Sequence, residues 1–561
     1  MLNHKNFTRL AVTPANLLRL AAAATTAILY SAALPPFNQQ ECGWFALVPL
    51  LLLVRQSTPR QAALWSGLAG LFYWVPALNW LWQLIGNGGP LPLVILGQIG
   101  LALWCALFFS LFGWLAALLW QKLRPAGAAG RLVAVWLGEP LLWAGAELLR
   151  GHLFTGFPWD SLATALATSP SFIQIASVGG LPAVSAMLVL GAGAIASIIE
   201  RIAEPLIRAA SKAQRYSRTR YSILQSLETF IPLLAIIALW IWGVNRLRSN
   251  PPYSQPADWR IVLIQPDSPS IFAITEADVI AQRQVLSDQT LLAAVIEPDL
   301  TVWPETAVNG SLPFDPAVAH LIKNATQTSG SPLLTGAVEI NPPPHAKGSQ
   351  EIRHHNSAWL FSTNGLFMGR YRKQHLVPFG EYIPGDKLIP ALQRLAPTGI
   401  SCTPGSESSI LTINRRNGTA GTLSFSPLIC FEDLFSDLSR RAVNRGAAAL
   451  VNLSNDAWFD GSTEPERHMR QAMFRAVENG VPLLRCGNTG ITCAVDPLGR
   501  ITRLDMGAEG QRGLVGFLPT RVPANRMPPT PYTRMGDRPL IIIATLLATI
   551  ALIPRPLSRH P

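Results

Sequence analysis

Three side chains far apart in the chain have the chemistry needed for acyl transfer through a covalent intermediate: Glu305, Lys373 and Cys430. A thiol attacks a carbonyl only when one group takes its proton and a positive group holds the oxyanion that forms. Glu305 suits the role of proton acceptor, Lys373 that of oxyanion stabiliser and Cys430 that of nucleophile. Each alone has a plainer reading. Cysteine is among the most buried residue types, a glutamate after Trp303-Pro304 can cap a helix, and Lys373 ends a basic stretch that could be a solvated face. Their surroundings are less ordinary, because Lys373 opens a mostly apolar loop bracketed by Pro378 and Pro384 in which a second carboxylate, Glu381, appears.

The elements that must position these groups follow one rhythm. The run 260–265 reads as a strand, 300–303 is a strand-like run ending at Pro304-Glu305, and 423–429 ends at Cys430-Phe431-Glu432 before a helix-like stretch to Arg441. Short β-prone runs, each followed by a polar residue and a helical pattern, predict an α/β sandwich with reactive groups at strand ends. A helix opening at Cys430 would bring its positive end to the thiol and favour the thiolate. Pro427 predicts a break in strand pairing. The six cysteines form no CxxC pair and no Cys/His ligand spacing, so no metal site is expected.

Composition places this domain beside a membrane. Of 561 residues 49% are hydrophobic and 14% charged, against about a quarter charged in ordinary soluble chains. Apolar runs at 20–34, 44–54, 62–82, 91–120, 132–149, 172–199, 230–244 and 540–553 predict about eight spans, the second of which, short and interrupted by Pro49, could instead be one arm of a re-entrant hairpin. If the first span starts in the cytoplasm, Arg55, Arg60, Lys122, Arg124, Arg131, the cluster from Arg201 to Arg220, Arg555 and Arg559 all fall inside. The formal charge of +12 is then a matter of topology, and a nucleic-acid partner is excluded. Residues 1–244 form the transmembrane helical region, 245–519 one extracytoplasmic enzyme domain, 520–538 a proline-rich extended tether and 539–561 a last span with a cytoplasmic tail. Glu139 and Glu147 lie in an apolar run, where ionisable groups are functional candidates by default; pairing of Glu147 with Arg150 at a helix end is the plainer expectation.

At these residues the chain resembles the nitrilase superfamily, whose Glu-Lys-Cys triad has this order, and within it the apolipoprotein N-acyltransferases. Trp303-Pro304-Glu305, the loop 373–384, Ile429-Cys430-Phe431-Glu432, the block 452–459, the block 485–490 and the aromatic turn Gly156-Phe157-Pro158-Trp159 resemble that family's blocks in its order. The resemblance implies an αββα sandwich on a polytopic helical bundle in the bacterial inner membrane, with the enzyme domain on the periplasmic side. It implies Glu381, Glu432 and Phe431 as secondary active-site residues, and Phe272, Trp303 and Trp458 as substrate-loop candidates. Phe431 stands where the family usually has tyrosine, leaving it stacking but no hydroxyl. Phe272 is the nearest aromatic to a loop position where the family often has tryptophan. The implied reaction moves an acyl chain from a phospholipid, through a Cys430 thioester, to the α-amine of a diacylglyceryl-modified cysteine on an apolipoprotein. It needs no cofactor, and the enzyme is expected to act as a monomer. A membrane-tethered amidase with the same triad differs only in using water as acceptor. A transporter with a sensory ectodomain would instead use Glu139 and Glu147 and keep its function after Cys430→Ala.

Overall fold

The computed structural model describes residues 13–210, 223–252, 258–268, 275–308, 310–341, 352–385, 388, 401–406, 409–416, 421–504 and 514–554. Alternating apolar residues build two sheets. The first has the order β13 (Gly516–Val522), β1 (Trp259–Gln265), β2 (Leu300–Val302), β4 (Leu333–Asn341), β5 (Arg353–Phe361), β6 (Phe367–Arg372), with β3 (Ser311–Leu312) on β4. The second runs β12 (Ile501–Arg503), β11 (Cys493–Val495), β10 (Leu483–Gly487), β9 (Ala449–Ser454), β8 (Thr422–Ile429), β7 (Leu411–Asn414). Ile261, Leu263, Val302 and Leu334 from the first sheet meet Phe425, Val451, Leu453 and Leu484 from the second in one buried layer. The outer face of the first sheet is covered by the helices Glu276–Ala293 and Pro316–Ser329, through Leu286, Val318 and Ile322.

The fourth layer is packed against both the second sheet and the membrane bundle. Helices Ser436–Asn444, Glu464–Ala472 and Phe474–Asn479 lie on Leu428, Leu450 and Leu483 of the second sheet, and the same core continues into Leu181, Val184 and Leu188 of the helix Ala176–Ala210. Polar contacts cross this seam. Leu181 N donates to Glu478 at 2.9 Å, Gln174 Nε2 to Leu498 O at 2.8 Å, and Asn87 Nδ2 to Trp458 O at 2.9 Å. The segment after β13 is packed as well: Thr530, Tyr532 and Thr533 are buried, and Arg526 donates to Val443 O. Proline content here marks irregular backbone, while the buried side chains hold that backbone on the domain.

Among the described residues, three stretches are long and apolar enough to cross a membrane: Leu91–His152, Ala176–Ala203 and Ser226–Ser249, with Arg538–Leu552 a shorter apolar helix. The first is a helical hairpin. Its long arm Leu91–Leu123 ends at the turn Arg124–Ala126, and Trp120 Nε1 donates to Glu139 at the start of the returning helix Glu139–His152. Leu96, Ile99, Leu103 and Leu107 stay exposed along one stripe, as a lipid-facing surface requires. The run 44–54 contains only the nine-residue helix Val48–Gln56, which at about 1.5 Å per residue covers less than half of a hydrocarbon core.

Of the basic residues assigned to one side, Arg55, Arg131 and Arg201 meet in one ion network. Arg55, nearly fully buried, contacts Glu139 at 2.7 Å and Glu200 at 3.3 Å; Arg131 contacts Glu200 at 3.0 Å and Glu228 at 2.9 Å; Arg201 reaches Glu228 at 3.3 Å. Glu139 is thus explained by Arg55. Glu147 differs from the expected pairing: one carboxylate oxygen accepts the Leu162 amide at 2.8 Å, while the Arg150 guanidinium lies over the Trp74 ring. Removing one partner of a buried pair strands the other charge. Glu139→Ala should therefore lower stability by about 3–5 kcal/mol, read as a fall in the unfolding midpoint in detergent, with Arg55→Leu/Glu139→Leu recovering most of it.

Candidate active site

Strand ends deliver the three candidates to one place. Glu305 follows β2, where Trp303 N donates to Leu334 O and Gly336 N to Pro304 O. Gly336 is required by close approach, since a Cβ there would stand 2.6 Å from Glu305 Cα and from Pro304 O. Lys373 follows β6, its backbone N bonded to Asn356 O of β5. Cys430 follows β8 with φ +50°, a left-handed conformation costly for a residue with a side chain and frequent where geometry is set for function. Its carbonyl accepts from Asn452 Nδ2 at 2.9 Å. Pro427 leaves the strand intact, pairing with Val451 of β9, while β7 pairs only as far as Phe425 and leaves that side of the proline without a partner strand.

Lys373 is 1% exposed and sits between two carboxylates, 2.9 Å from Glu381 Oε1 and 3.7 Å from Glu305 Oε1. Asn356 ties the same pair together, donating to Glu305 at 2.7 Å and Glu381 at 2.8 Å. The other Glu381 oxygen accepts Val377 N at 2.9 Å, fastening the loop that begins at Lys373. Burial raises the Glu305 carboxyl above its usual range, Lys373 opposes this and Glu381 adds to it. For Lys373 burial acts the other way, but Glu381 and Glu305 outweigh it and hold the ammonium charged.

The expected thiolate is not what the turn favours. Cys430 opens a five-residue 3-10 turn, Cys430–Leu434, too short to supply a helix dipole. Burial, then the Glu305 charge, push the thiol well above its ordinary value, with Lys373 acting against them. At rest Cys430 is a thiol beside an ionisable carboxylate, an arrangement in which a base could take the proton during attack.

Glu432 is fully buried and accepts from four donors: Tyr371 Oη at 2.8 Å, Gln374 N at 2.7 Å, His375 N at 3.0 Å and Ile429 N at 2.8 Å. Phe431 lies against a run of rings. Its centroid is 5.0 Å from Phe435 and 6.2 Å from Trp159, which stacks in turn on Phe157 and Trp80. The sequence turn 156–159 therefore comes from the membrane bundle to the residue beside Cys430. Trp303 is wholly buried in the outer helical layer, where it packs with its Nε1 on Thr290 at 3.0 Å. Trp458 is partly exposed at the seam with Asn87, and Phe272 lies outside the described residues. Asn356 and Tyr371 were not singled out from sequence. Each lies in a polar stretch, Asn356 between His355 and Ser357 and Tyr371 between Arg370 and Arg372, so neither stands out.

Residues 26–194 match the apolipoprotein N-acyltransferase N-terminal domain, and residues 262–513 match the carbon-nitrogen hydrolase domain. An apolipoprotein N-acyltransferase of Geobacter metallireducens is 31% identical over 85% of this chain and 85% of its own length. The chain belongs to the apolipoprotein N-acyltransferase family. Relatives of the same description from Bradyrhizobium diazoefficiens and Rhodopseudomonas palustris are each 30% identical, over 97% and 94% of this chain and 96% and 93% of their own lengths. Among solved structures, an amidase from Nesterenkonia sp. aligns with 51% of the chain and 96% of its own at 19% identity and a TM-score of 0.35. The chain is an acyltransferase of the carbon-nitrogen hydrolase superfamily, with the membrane helices its family carries.

Glu432 holds the lysine loop to the cysteine turn, so losing its acceptors should loosen both. Glu432→Ala should lower acyl-transfer kcat by about a hundredfold, measured against the wild-type enzyme in mixed micelles, because misplacement near 1 Å has that effect.

Proposed function

We propose that Cys430 carries an acyl group from a membrane phospholipid to the N-terminal amine of an apolipoprotein whose cysteine bears a diacylglyceryl group. The observation that carries this reading is the meeting of Glu305, Lys373 and Cys430 beside an aromatic path, Trp80–Trp159–Phe431, that leads out of the membrane bundle. Glu305 takes the Cys430 proton as sulfur adds to the ester carbonyl. The Lys373 ammonium and the Phe431 backbone N–H stabilise the oxyanion. Collapse breaks the ester C–O bond, Glu305 returns its proton to the departing alkoxide, and a thioester and a lysophospholipid remain. The α-amine then adds to the thioester, Glu305 accepts its proton, and C–S cleavage with reprotonation of sulfur leaves an amide and the free enzyme. Glu381 sets the position and charge of Lys373, and Phe431 with Trp458 faces the acyl chains. Membrane-anchored substrates explain why the domain rests on a bundle and not on one anchor.

The same reading places a monomer of about eight spans in the inner membrane with the enzyme domain in the periplasm. The gathering of Arg55, Lys122, Arg131 and Arg201 at one end of the bundle supports it, since cationic ends face the cytoplasm. An amidase would release free fatty acid to water in place of the amide.

Incubation with labelled phosphatidylethanolamine should give an acyl adduct on Cys430 by mass spectrometry, discharged by a diacylated lipopeptide; an active Cys430→Ser without adduct would overturn the reading. The pH dependence has a definite sign. Glu305 works ionised and its carboxyl lies above the usual range, so acylation should fall, on acidification, at a pH above the roughly 4.3 of a free glutamate. Glu381→Gln removes a charge that raises Glu305 and should move this acid limb to lower pH.

A further inference from the structure

Behind the cysteine turn lies a buried charged cluster that the reaction above does not use. Asp433, in the same turn as Cys430, has one oxygen 2.7 Å from His468 Nε2, while the other accepts Arg485 Nη1 at 2.9 Å. On the opposite edge of the imidazole, Nδ1 stands 3.5 Å from Glu464 and 4.0 Å from Asp456, and Arg485 Nη2 lies 3.2 Å away. All five side chains are nearly or fully buried. Asp456, Glu464 and His468 bring their ligand atoms within 4.8 Å of one another, spacing that would suit a cation. The guanidinium of Arg485 already fills that place, donating to Asp456 at 2.9 and 3.0 Å.

The cluster reaches the membrane side through the same helix. Arg467, next to His468 on Glu464–Ala472, pairs with Asp160 and donates to Pro35 O at 2.7 Å; Asp160 also accepts Tyr73 Oη at 2.7 Å. The His468 ring lies 5.6 Å from Trp159, which also lies against Phe431. Adjacent residues thus hold the membrane turn with one side chain and the nucleophile turn with the other.

We propose that His468 is a positioning residue for acyl transfer: its ring, braced between Asp433 and Glu464, fixes the turn carrying Cys430 against the Trp159 side of the membrane bundle. The proposal rests on Cys430 being the nucleophile. Three carboxylates facing one guanidinium leave the cluster short of positive charge, which a protonated imidazole supplies. Burial and Arg485 lower the His468 pKa, yet Asp433 and Glu464 carry it to about 9. The charged brace is therefore present at neutral pH and lost as pH rises through that value.

The test uses the full-length enzyme in mixed micelles with phosphatidylethanolamine and a diacylated lipopeptide. His468→Gln should lower kcat about a hundredfold with the phospholipid KM within about twofold, the signature of a misplaced reacting group, and should lack the wild-type loss of activity above pH 9. Asp433→Asn should reproduce the defect, and the double variant should be no worse than either. Glu464→Gln leaves the ring in place, serves where His468→Gln does not fold, and should move the alkaline limb to lower pH. Wild-type kcat and pH profile in His468→Gln, additive defects in the pair, or an unmoved limb in Glu464→Gln would each overturn the proposal. Cys430→Ser runs alongside: its activity would refute the nucleophile, a failure distinct from that of His468.

Discussion

The carboxylate of Glu432 accepts hydrogen bonds from Tyr371 at the end of β6, from the backbone at Gln374 and His375, and from Ile429 at the end of β8. A buried carboxylate without donors would be too costly to keep, so the fold must supply all of these at once. Meeting that demand brings the edge strand of one sheet to an inner strand of the other. It also ties the residues after Lys373 and the residue before Cys430 to one carboxylate. Glu305 completes the group from a third strand, and Gly336 makes room for its backbone.

Around this anchor, charge is handled locally. Lys373 lies between two acids, Arg485 between two more, and Arg55 between Glu139 and Glu200. Each of these three buried cations has carboxylates within contact, as low-dielectric interiors require. The site thereby holds a cation and an ionisable base a few ångströms apart without collapsing into one tight ion pair, since Glu381 takes the short contact with Lys373 and leaves Glu305 at 3.7 Å.

Much of this was legible in the chain because strand ends and apolar periodicity are local signals. β1, β2 and β8 fall on the β-prone runs read from the sequence, Lys373 and Cys430 follow β6 and β8 directly, and Glu305 stands three residues past β2. What could not be read was long-range. Trp303 beside Glu305 suggested a substrate contact, but residues alternate across the end of a strand, and it turned to the outer helices. The thiolate expected at Cys430 assumed a helix where there is a short turn. Arg55 counted as a loop charge, although the chain returns to it with Glu139 and Glu200. Asn356 and His468 acquire meaning only once distant segments are brought together.

The helical layer shared by the second sheet and the bundle has a consequence for how the molecule is divided. Val477, Met473 and Leu438 are enclosed with Leu181 and Leu188. The border between the water-exposed half and the lipid-embedded half is a packed core. Cutting the polypeptide at its apparent linker would open that core to water, so this enzyme cannot be parted from its anchor as a freestanding catalyst.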